Sequence, residues 1–301
     1  MGRMLIAAVL TLAALPARAA EDDIVLRGMG SFHVGGRIAE VSGRPVREIV
    51  RIPGGPPSKL DPNGQFMVEQ MYVQYFLPKH RKGKLPLLMW HGGGLTGVTY
   101  ETTPDGREGW LNLFVRKGWD VYVSDAVERG RAGFASPDVW PSEPIFLNYA
   151  DPFERFRIGD GQGSWNSDPA KRRVLPGSQF PVEAYDNYMK QAVPRWLSTD
   201  KAIVAVESAS AGDVGKAAAL KNTPTLMLFG DYVDQHPRWA TYKKIDLEYA
   251  AAIRAGGGTV DVINLPDIGI KGNSHMLMQD KNNAKIADVI QTWMVGKGLV
   301  E

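Results

Sequence analysis

The sequence predicts an α/β fold in which helices flank a mostly parallel sheet. A short apolar run without alternation, such as 87–90, is typical of a strand buried on both faces of such a sheet. Helical segments that end in glycine lie between such runs, and alternating strands and helices indicate an α/β domain. The chain has 301 residues, of which 44% are hydrophobic, which is enough for one large domain with its own core.

At the N-terminus, residues 1–19 have the pattern of a secretory signal peptide. They contain a basic residue, an apolar stretch too short to span a bilayer and a cleavage motif of small residues, at Arg3, 5–15 and 17–19. We therefore expect export to the periplasm or the medium, with a mature protein that starts near Ala20. No later stretch is long and apolar enough for a membrane span, so we expect no integral membrane segment after cleavage.

The composition excludes several classes of function. The formal net charge is +2, from 35 basic and 33 acidic residues mixed along the chain, which gives no case for a nucleic-acid partner. The absence of cysteine excludes disulfides, cysteine nucleophiles and cysteine metal ligands. The sequence contains no metal-ligand spacing, phosphate loop or dinucleotide fingerprint, so we expect no cofactor.

The first predicted elements are two alternating strands at 24–41 and 65–77, which form an antiparallel start to the sheet around the Pro/Gly-rich link 52–64. Next come a strand, a helix and a strand, at 87–90, 107–117 and 120–124. Such a unit implies a right-handed parallel crossover.

Residues 126–180 lack clear periodicity and are rich in Pro, Gly, Trp and Phe. A segment of this length and aromatic content favours a lid or cap over an apolar pocket. The sequence then predicts a helix over 181–197, with Pro181 in its first turn. The remaining strands are predicted at 202–206, 225–229 and 260–265, and the remaining helices at 213–220, 242–255 and 284–295.

Three glycines follow strand 87–90 in the sequence H-G-G-G, residues 91–94. Glycine backbone can turn sharply and bring N–H groups close to a ligand, which is how a hole for a developing oxyanion can be built. His91 is expected to support this loop by a hydrogen bond. A plain glycine turn is the alternative interpretation.

Other polar residues also follow predicted strands, where parallel sheets gather ligand-binding groups. They are residues 207–210, Asp231 and His275. A histidine that precedes the last helix and lies near a carboxylate on a neighbouring loop is the base of a serine-hydrolase triad, with the carboxylate as its orienting acid.

From residue 30 to the C-terminus the chain resembles a small family of secreted bacterial esterases in the α/β-hydrolase superfamily. The segments that carry the resemblance are G-S-F-H-V-G-G-R (30–37), D-P-N-G-Q-F-M-V-E-Q-M-Y-V-Q-Y-F-L-P (61–78), W-H-G-G-G-L-T-G-V-T-Y-E-T-T-P-D-G-R-E-G-W (90–110), F-P-V-E-A-Y-D (180–186), V-E (206–207), F-G-D-Y-V-D-Q-H-P-R-W (229–239) and G-N-S-H-M-L-M-Q-D-K-N-N (272–283).

The resemblance implies an α/β-hydrolase-like domain over 20–301, with the lid or cap inserted at about 126–180. It implies a serine-esterase mechanism on a small-molecule ester, with H-G-G-G as the oxyanion loop. By this resemblance His275 is the base, Glu207 is the triad acid, and Gly93 and Gly94 form the oxyanion hole. The resemblance indicates neither which ester is cleaved nor the oligomeric state.

The chain departs from the family where the nucleophile should be. The resembling esterases carry their serine in an H-S-Q-G elbow between the helix here predicted to end at 197 and the strand here predicted to end at 206. Only residues 198–201 separate these elements, whereas a helix, a strand and an elbow with its helix need roughly 35 to 40 residues. The resemblance therefore implies that the central nucleophile strand is deleted and that activity is impaired or lost.

Alternatives remain for two of these roles and for the function. Ser210, in a degenerate small-x-Ser-x-Gly turn, is the alternative nucleophile, and Asp231 is the alternative acid. Ser274 is a weaker candidate nucleophile because adjacent loop residues such as Ser274 and His275 normally point apart. The alternative function is that of a non-catalytic relative that binds small apolar ligands.

Overall fold

The computed structural model describes residues 23–140, 142–196 and 212–300. The predicted signal peptide, strand 202–206 and the short 198–201 link lie outside these ranges. The strands are β1 (Leu26–Val41), β2 (Arg47–Val50), β3 (Pro57–Leu60), β4 (Gly64–Pro78), β5 (Leu87–Met89), β6 (Val121–Asp125), β7 (Thr225–Phe229) and β8 (Val260–Asn264). The α-helices are α1 (Trp110–Arg116), α2 (Ala150–Arg155), α3 (Tyr185–Met189), α4 (Pro237–Ala255) and α5 (Asn283–Gly296).

The described strands form mixed sheets rather than the predicted mostly parallel one. A four-stranded sheet has the order β1-β4-β6-β5, in which only the β5–β6 pair is parallel. Strands β7 and β8 form a separate parallel pair, and β2 and β3 form a hairpin. The antiparallel share is large because the long β1–β4 hairpin extends into this sheet and pairs with β6.

Most predicted elements are confirmed within one to five residues at their ends. The β1–β4 pairing is antiparallel as expected, and β7 has the predicted bounds. The link 52–64 was expected to be only a break, but it contains β3, which pairs with β2. The predicted helix 213–220 is a 3-10 helix, Val214–Leu220, whose first turn is capped by the Asp213 side chain.

The prediction of one long helix over 181–197 was wrong. The described part of this range contains a 3-10 turn, Val182–Ala184, and the short helix α3, and residues 190–196 are not helical. Pro194 explains why no helix continues through 193–196, because proline has no N–H to donate and disfavours helical backbone at the residue before it. The helix itself ends earlier, where the N–H groups of Gln191 and Ala192 donate to the carbonyls three residues before them. Residues 193–195 instead run beside the glycine loop.

The main core lies on one face of the four-stranded sheet. Met89, Val121 and Val123 point into it and are at most 7% exposed, and α1 packs against β4, β6 and α5 on this side. The opposite face was predicted to be buried as well, but Leu88 is 51% exposed there. Local sequence shows that a strand can be buried on both faces, but not whether a second layer of structure covers it.

Residues 126–180 share this core although they have few regular elements. In the described residues 126–140 and 142–180, the helical elements are α2 and short 3-10 turns at Gly130–Ala132 and Pro169–Lys171. The segment's apolar side chains Phe153, Phe156, Ile158 and Phe180 are at most 4% exposed and belong to the main cluster. Among the described residues, no helix has the length and apolarity needed to cross a membrane.

Candidate functional site

The glycine loop follows β5, and its shape depends on the missing side chain of Gly94. This residue has φ of +78°, and a Cβ atom there would lie 2.7 Å from Leu147 Cδ1, so any other residue would be strained and crowded. Its carbonyl accepts a hydrogen bond from Val193 N–H at 2.9 Å. Gly93 lies against the Arg195 guanidinium, whose Cζ would be 3.4 Å from a Cβ at Gly93.

His91 ties the glycine loop to the loop after β6. Its Nε2 accepts a hydrogen bond from Ala126 N–H at 2.9 Å, so this nitrogen carries no proton. The proton is therefore on Nδ1, which donates to the Gly92 carbonyl at 2.9 Å. His91 is 3% exposed, and the expected support of the loop by this side chain is confirmed.

A buried carboxylate organises the loop that carries His275. Asp280 is fully buried, and its Oδ2 accepts hydrogen bonds from Asn273 Nδ2 at 2.8 Å and Ser274 N–H at 3.0 Å. Its Oδ1 accepts a hydrogen bond from Ser274 Oγ at 2.7 Å. Ser274 is also fully buried and accepts a hydrogen bond from Met276 N–H, so its hydroxyl has a structural role.

The half-buried imidazole of His275 packs between aromatic side chains. Its ring centroid is 4.1 Å from that of Trp239 and 4.8 Å from that of Phe156. The His275 N–H donates to the Phe156 carbonyl at 3.0 Å. The segment predicted to be a lid therefore holds both the backbone and the ring of this histidine.

Asp231 follows β7 and binds the start of the same loop. Its Oδ2 accepts a hydrogen bond from Gly272 N–H at 3.0 Å, and its Oδ1 accepts one from Tyr232 N–H at 2.8 Å. Its own N–H donates to the Asn273 carbonyl at 2.9 Å. Gly272 has φ of +80°, and a Cβ there would overlap the Gly177 carbonyl, so only glycine fits at this point.

Direct hydrogen bonds join the segment after the glycine loop to the histidine loop. Arg107 Nη1 donates to the carbonyls of Asp280 and Lys281 at 3.1 and 3.0 Å and to Asn283 Oδ1 at 3.0 Å. Trp110 Nε1 donates to the Asn283 carbonyl at 3.1 Å. These contacts bring together two motifs that are about 170 residues apart in the chain.

Of the predicted site residues, the structure describes His275, Ser274, Asp231, Gly93 and Gly94. Glu207 and Ser210 lie outside the described residues. Sequence reasoning did not single out Asp280, Arg107 or Phe156, although Asp280 and Arg107 occur in the quoted motifs D-K-N-N and D-G-R-E. The only sequence signal for Asp280 was its place in a loop rich in Asn and Ser, because its burial is a property of the fold.

Two further findings concern the protonation of a nearby histidine and the possibility of a metal site. Burial, followed by the positive charges of Arg157, Arg238 and Arg155, lowers the pKa of His236 at the start of α4. This favours the neutral imidazole at His236. Among the residues in the described ranges, no group of three or more His, Cys, Asp or Glu side chains could hold a metal ion.

The chain is similar to known ester-cleaving proteins. The solved structure of a novel bacterial esterase, determined at atomic resolution, matches with a TM-score of 0.75 and 30% sequence identity, over 93% of this chain and 99% of that chain. A fungal protein, the probable secreted lipase phiG of Fungal sp. (strain ATCC 74256), is also similar. The alignment is 323 residues long with its gaps, has 23% identity, and covers 77% of this chain and 87% of the fungal protein. No family model matches the sequence.

Proposed function

Because the chain belongs to the esterase and lipase family of hydrolases, we propose that its site is that of a carboxylic-ester hydrolase for a small-molecule ester. The observation that carries this proposal is the direct attachment of the glycine-loop segment to the histidine loop through Arg107 and Trp110. An ester hydrolase needs both parts around one scissile carbonyl, the histidine for the proton and the glycine loop for the oxyanion.

In this proposal His275 is the general base and Glu207 is the acid that orients it. The imidazole takes the proton of the attacking hydroxyl and later gives it to the leaving alcohol. The N–H groups of Gly93 and Gly94 donate to the carbonyl oxygen as it gains negative charge. The segment 126–180 covers the pocket and supplies the Phe156 contact to the base.

The proposal includes the loss of the attacking serine. The alignment with the fungal lipase runs over 323 residues, more than the 301 residues of this chain, so the fungal protein has residues where this chain has none. The short 198–201 link is the place where the resembling esterases carry their elbow. Loss of a triad serine lowers kcat by several orders of magnitude, so the chain as written is impaired.

A restored nucleophile tests this proposal directly. A relative's elbow segment is inserted between Asp200 and Lys201, once with its serine and once with that serine changed to alanine. Hydrolysis of a short-chain nitrophenyl ester is then measured for both proteins, for the chain as written and for its His275→Ala variant. We expect activity only in the serine version, and we expect a further His275→Ala change to abolish it.

The same material decides between the alternative residues. If a fluorophosphonate forms an adduct with Ser210 in the chain without the insertion, the nucleophile is Ser210 and no inserted serine is needed. In the restored protein, Glu207→Gln is expected to lower kcat strongly, whereas Asp231→Asn is expected to act mainly on stability. The reverse ranking of the two variants would assign the acid to Asp231.

A second candidate function is binding without catalysis, and an aromatic stack favours it. Phe134, which is 44% exposed, stacks on the buried Trp196 with a centroid distance of 5.2 Å, and Trp140 stacks on the same indole at 6.4 Å. Trp196 follows Arg195, which touches the glycine loop. Calorimetric titration with methyl benzoate, with Phe134→Ala as the control, tests whether this wall binds a small apolar ester.

Export is part of the proposal. The fungal relative is named a secreted lipase, and residues 1–19 have the pattern of a signal peptide. The mature protein acts in the periplasm or outside the cell.

A further inference from the structure

Trp239 contacts two groups of the site at once. Its indole packs against the His275 imidazole at a centroid distance of 4.1 Å and a tilt of 39°. The guanidinium carbon of Arg157 lies 4.8 Å from the centre of the same indole. Only 3% of Trp239 is exposed, so these contacts are made away from water.

The indole has little freedom to move. Its Nε1–H donates to the Arg155 carbonyl at 2.5 Å, which fixes the ring plane relative to the segment 155–157. The Trp239 backbone belongs to the first turn of α4, which starts with Pro237. A ring fixed at both its backbone and its polar edge can transmit its position to a neighbour.

Arg157 is held in place as firmly. Its side chain is 1% exposed, and its Nε donates to the Asp231 carbonyl at 2.8 Å. Its φ of +58° is in the left-handed region that a residue with a side chain rarely adopts. The cation adds an attraction to the indole face that is stronger out of water than in it.

We propose that Trp239 is a positioning residue for His275, which holds the imidazole in one orientation with Arg155 and Arg157 as its supports. Phe156 completes the arrangement from a second direction, with a centroid distance of 4.8 Å to the imidazole. The description of His275 as the base rests on the proposed function, whereas the positioning itself does not. A side chain on α4 thus sets the orientation of a histidine that lies 36 residues away in the chain.

Nuclear magnetic resonance of the imidazole tests this inference without any turnover. The five histidines of the chain are labelled with nitrogen-15, and the His275→Gln variant identifies the His275 signals. In the wild type we expect one set of ring signals, with protons shifted upfield by the indole. Trp239→Leu should remove the shift and produce broadening or a second set, and Trp239→Phe should keep part of the shift.

Trp119→Leu is the matched control. Trp119 is 1% exposed and donates from Nε1 to Gln291 Oε1 at 2.7 Å, in a different part of the core. The control should lower stability but leave the His275 signals unchanged. The inference is overturned if Trp239→Leu leaves the His275 signals unchanged, or if Trp119→Leu changes them equally.

Arg157→Met keeps the test decisive if Trp239→Leu does not fold. This variant leaves the indole in place but removes the cation and the hydrogen bond to Asp231. We expect broader His275 signals than in the wild type. Unchanged signals would contradict the proposal that Arg157 supports Trp239. Because no measurement here uses ester hydrolysis, failure of the esterase proposal would leave this result intact.

Discussion

Asp280 binds both the backbone N–H and the hydroxyl of Ser274, the residue before His275, with distances of 3.0 and 2.7 Å. Both residues are fully buried. The two hydrogen bonds fix the backbone at the point where it turns to present the imidazole. A carboxylate that accepts several hydrogen bonds out of water is costly to alter, because its partners would be left unsatisfied.

Asp280→Asn should destabilise the protein and loosen the histidine loop. An amide keeps one acceptor oxygen but places donor hydrogens against the donors that the carboxylate now binds. We expect a loss of about 1–3 kcal/mol in the free energy of unfolding, because hydrogen bonds to a charged group are removed. Urea unfolding measures this loss, and faster hydrogen exchange at Met276 N–H would locate it.

Asp288→Asn on α5 is the control for that experiment. Its side chain is 66% exposed and is paired with Lys117 at the surface, so the change should stay within about 0.5 kcal/mol. Equal losses in unfolding free energy for the two variants would mean that the buried hydrogen bonds of Asp280 stabilise the protein no more than the surface ion pair of Asp288.

Asp125 should make stability depend on acidic pH. It is 1% exposed, and although burial alone would raise its pKa, hydrogen bonds from the Arg131 side chain and from the Arg131 and Gly97 N–H groups lower it below 3.8. A lowered pKa in the folded state stabilises the protein fully above about pH 5, and this contribution is lost as the pH falls through the folded-state value.

The measurement compares the wild type with Asp125→Asn by urea unfolding at pH 6 and pH 3. The wild type should exceed the variant in unfolding free energy at pH 6, and the difference should shrink at pH 3. A difference that grows on acidification would contradict the lowered pKa. Asp234→Asn, with a side chain that is 75% exposed, serves as the surface control.

The N-terminal pattern makes a prediction that needs no folded structure. Exported protein should have lost about 19 residues and should begin at or within one or two residues of Ala20. Mass spectrometry of the product from the periplasm or medium measures this directly. Recovery of the exported chain with Met1 intact would contradict the signal peptide.

Elements whose signal is local were predictable from the sequence. Strand β7 has the expected bounds, because the residues on either side of it, Pro224 and Gly230, are poor strand formers. The prediction of one helix over 181–197 failed at both ends: residues 182–184 form a separate 3-10 turn, and Pro194 prevents a helix from continuing through 193–196. In the site, the glycine loop and His275 could be predicted from their sequence motifs. The roles of Asp280 and Trp239 could not, because they depend on contacts that form only when the loop and α4 are folded.

The exposed face of the four-stranded sheet could not be predicted in the same way. Gly30, Tyr75, Tyr122 and Leu88 form one cross-strand row, as the register of the four strands shows. Tyr75 lies across Gly30, where a Cβ would be 2.5 Å from the tyrosine oxygen. The two tyrosines are only half-buried and Leu88 is 51% exposed, so the row is a partly uncovered apolar surface.

This surface leads to a prediction on two adjacent residues of β5. Leu88 and Met89 point to opposite faces, and their exposed fractions are 51% and 7%. Met89→Ala should cost about 2–5 kcal/mol, because it opens a cavity in the core, and should increase the binding of a hydrophobic dye. Leu88→Ala should change stability by less than about 1 kcal/mol and should decrease dye binding, because it removes exposed apolar surface.

The same surface should limit the thermal stability of the whole chain. Each Å² of apolar surface that a second layer buries stabilises the fold by about 25 cal/mol. Apolar surface left in water does not make this contribution. We therefore expect dye binding in the native state and melting below about 60 °C, within or under the range of ordinary domains. Insertion of the elbow segment between Asp200 and Lys201 should raise the melting temperature and lower dye binding together. A cooperative melt well above that temperature in the unmodified chain, without dye binding, would show that the face containing Leu88 is already covered in solution.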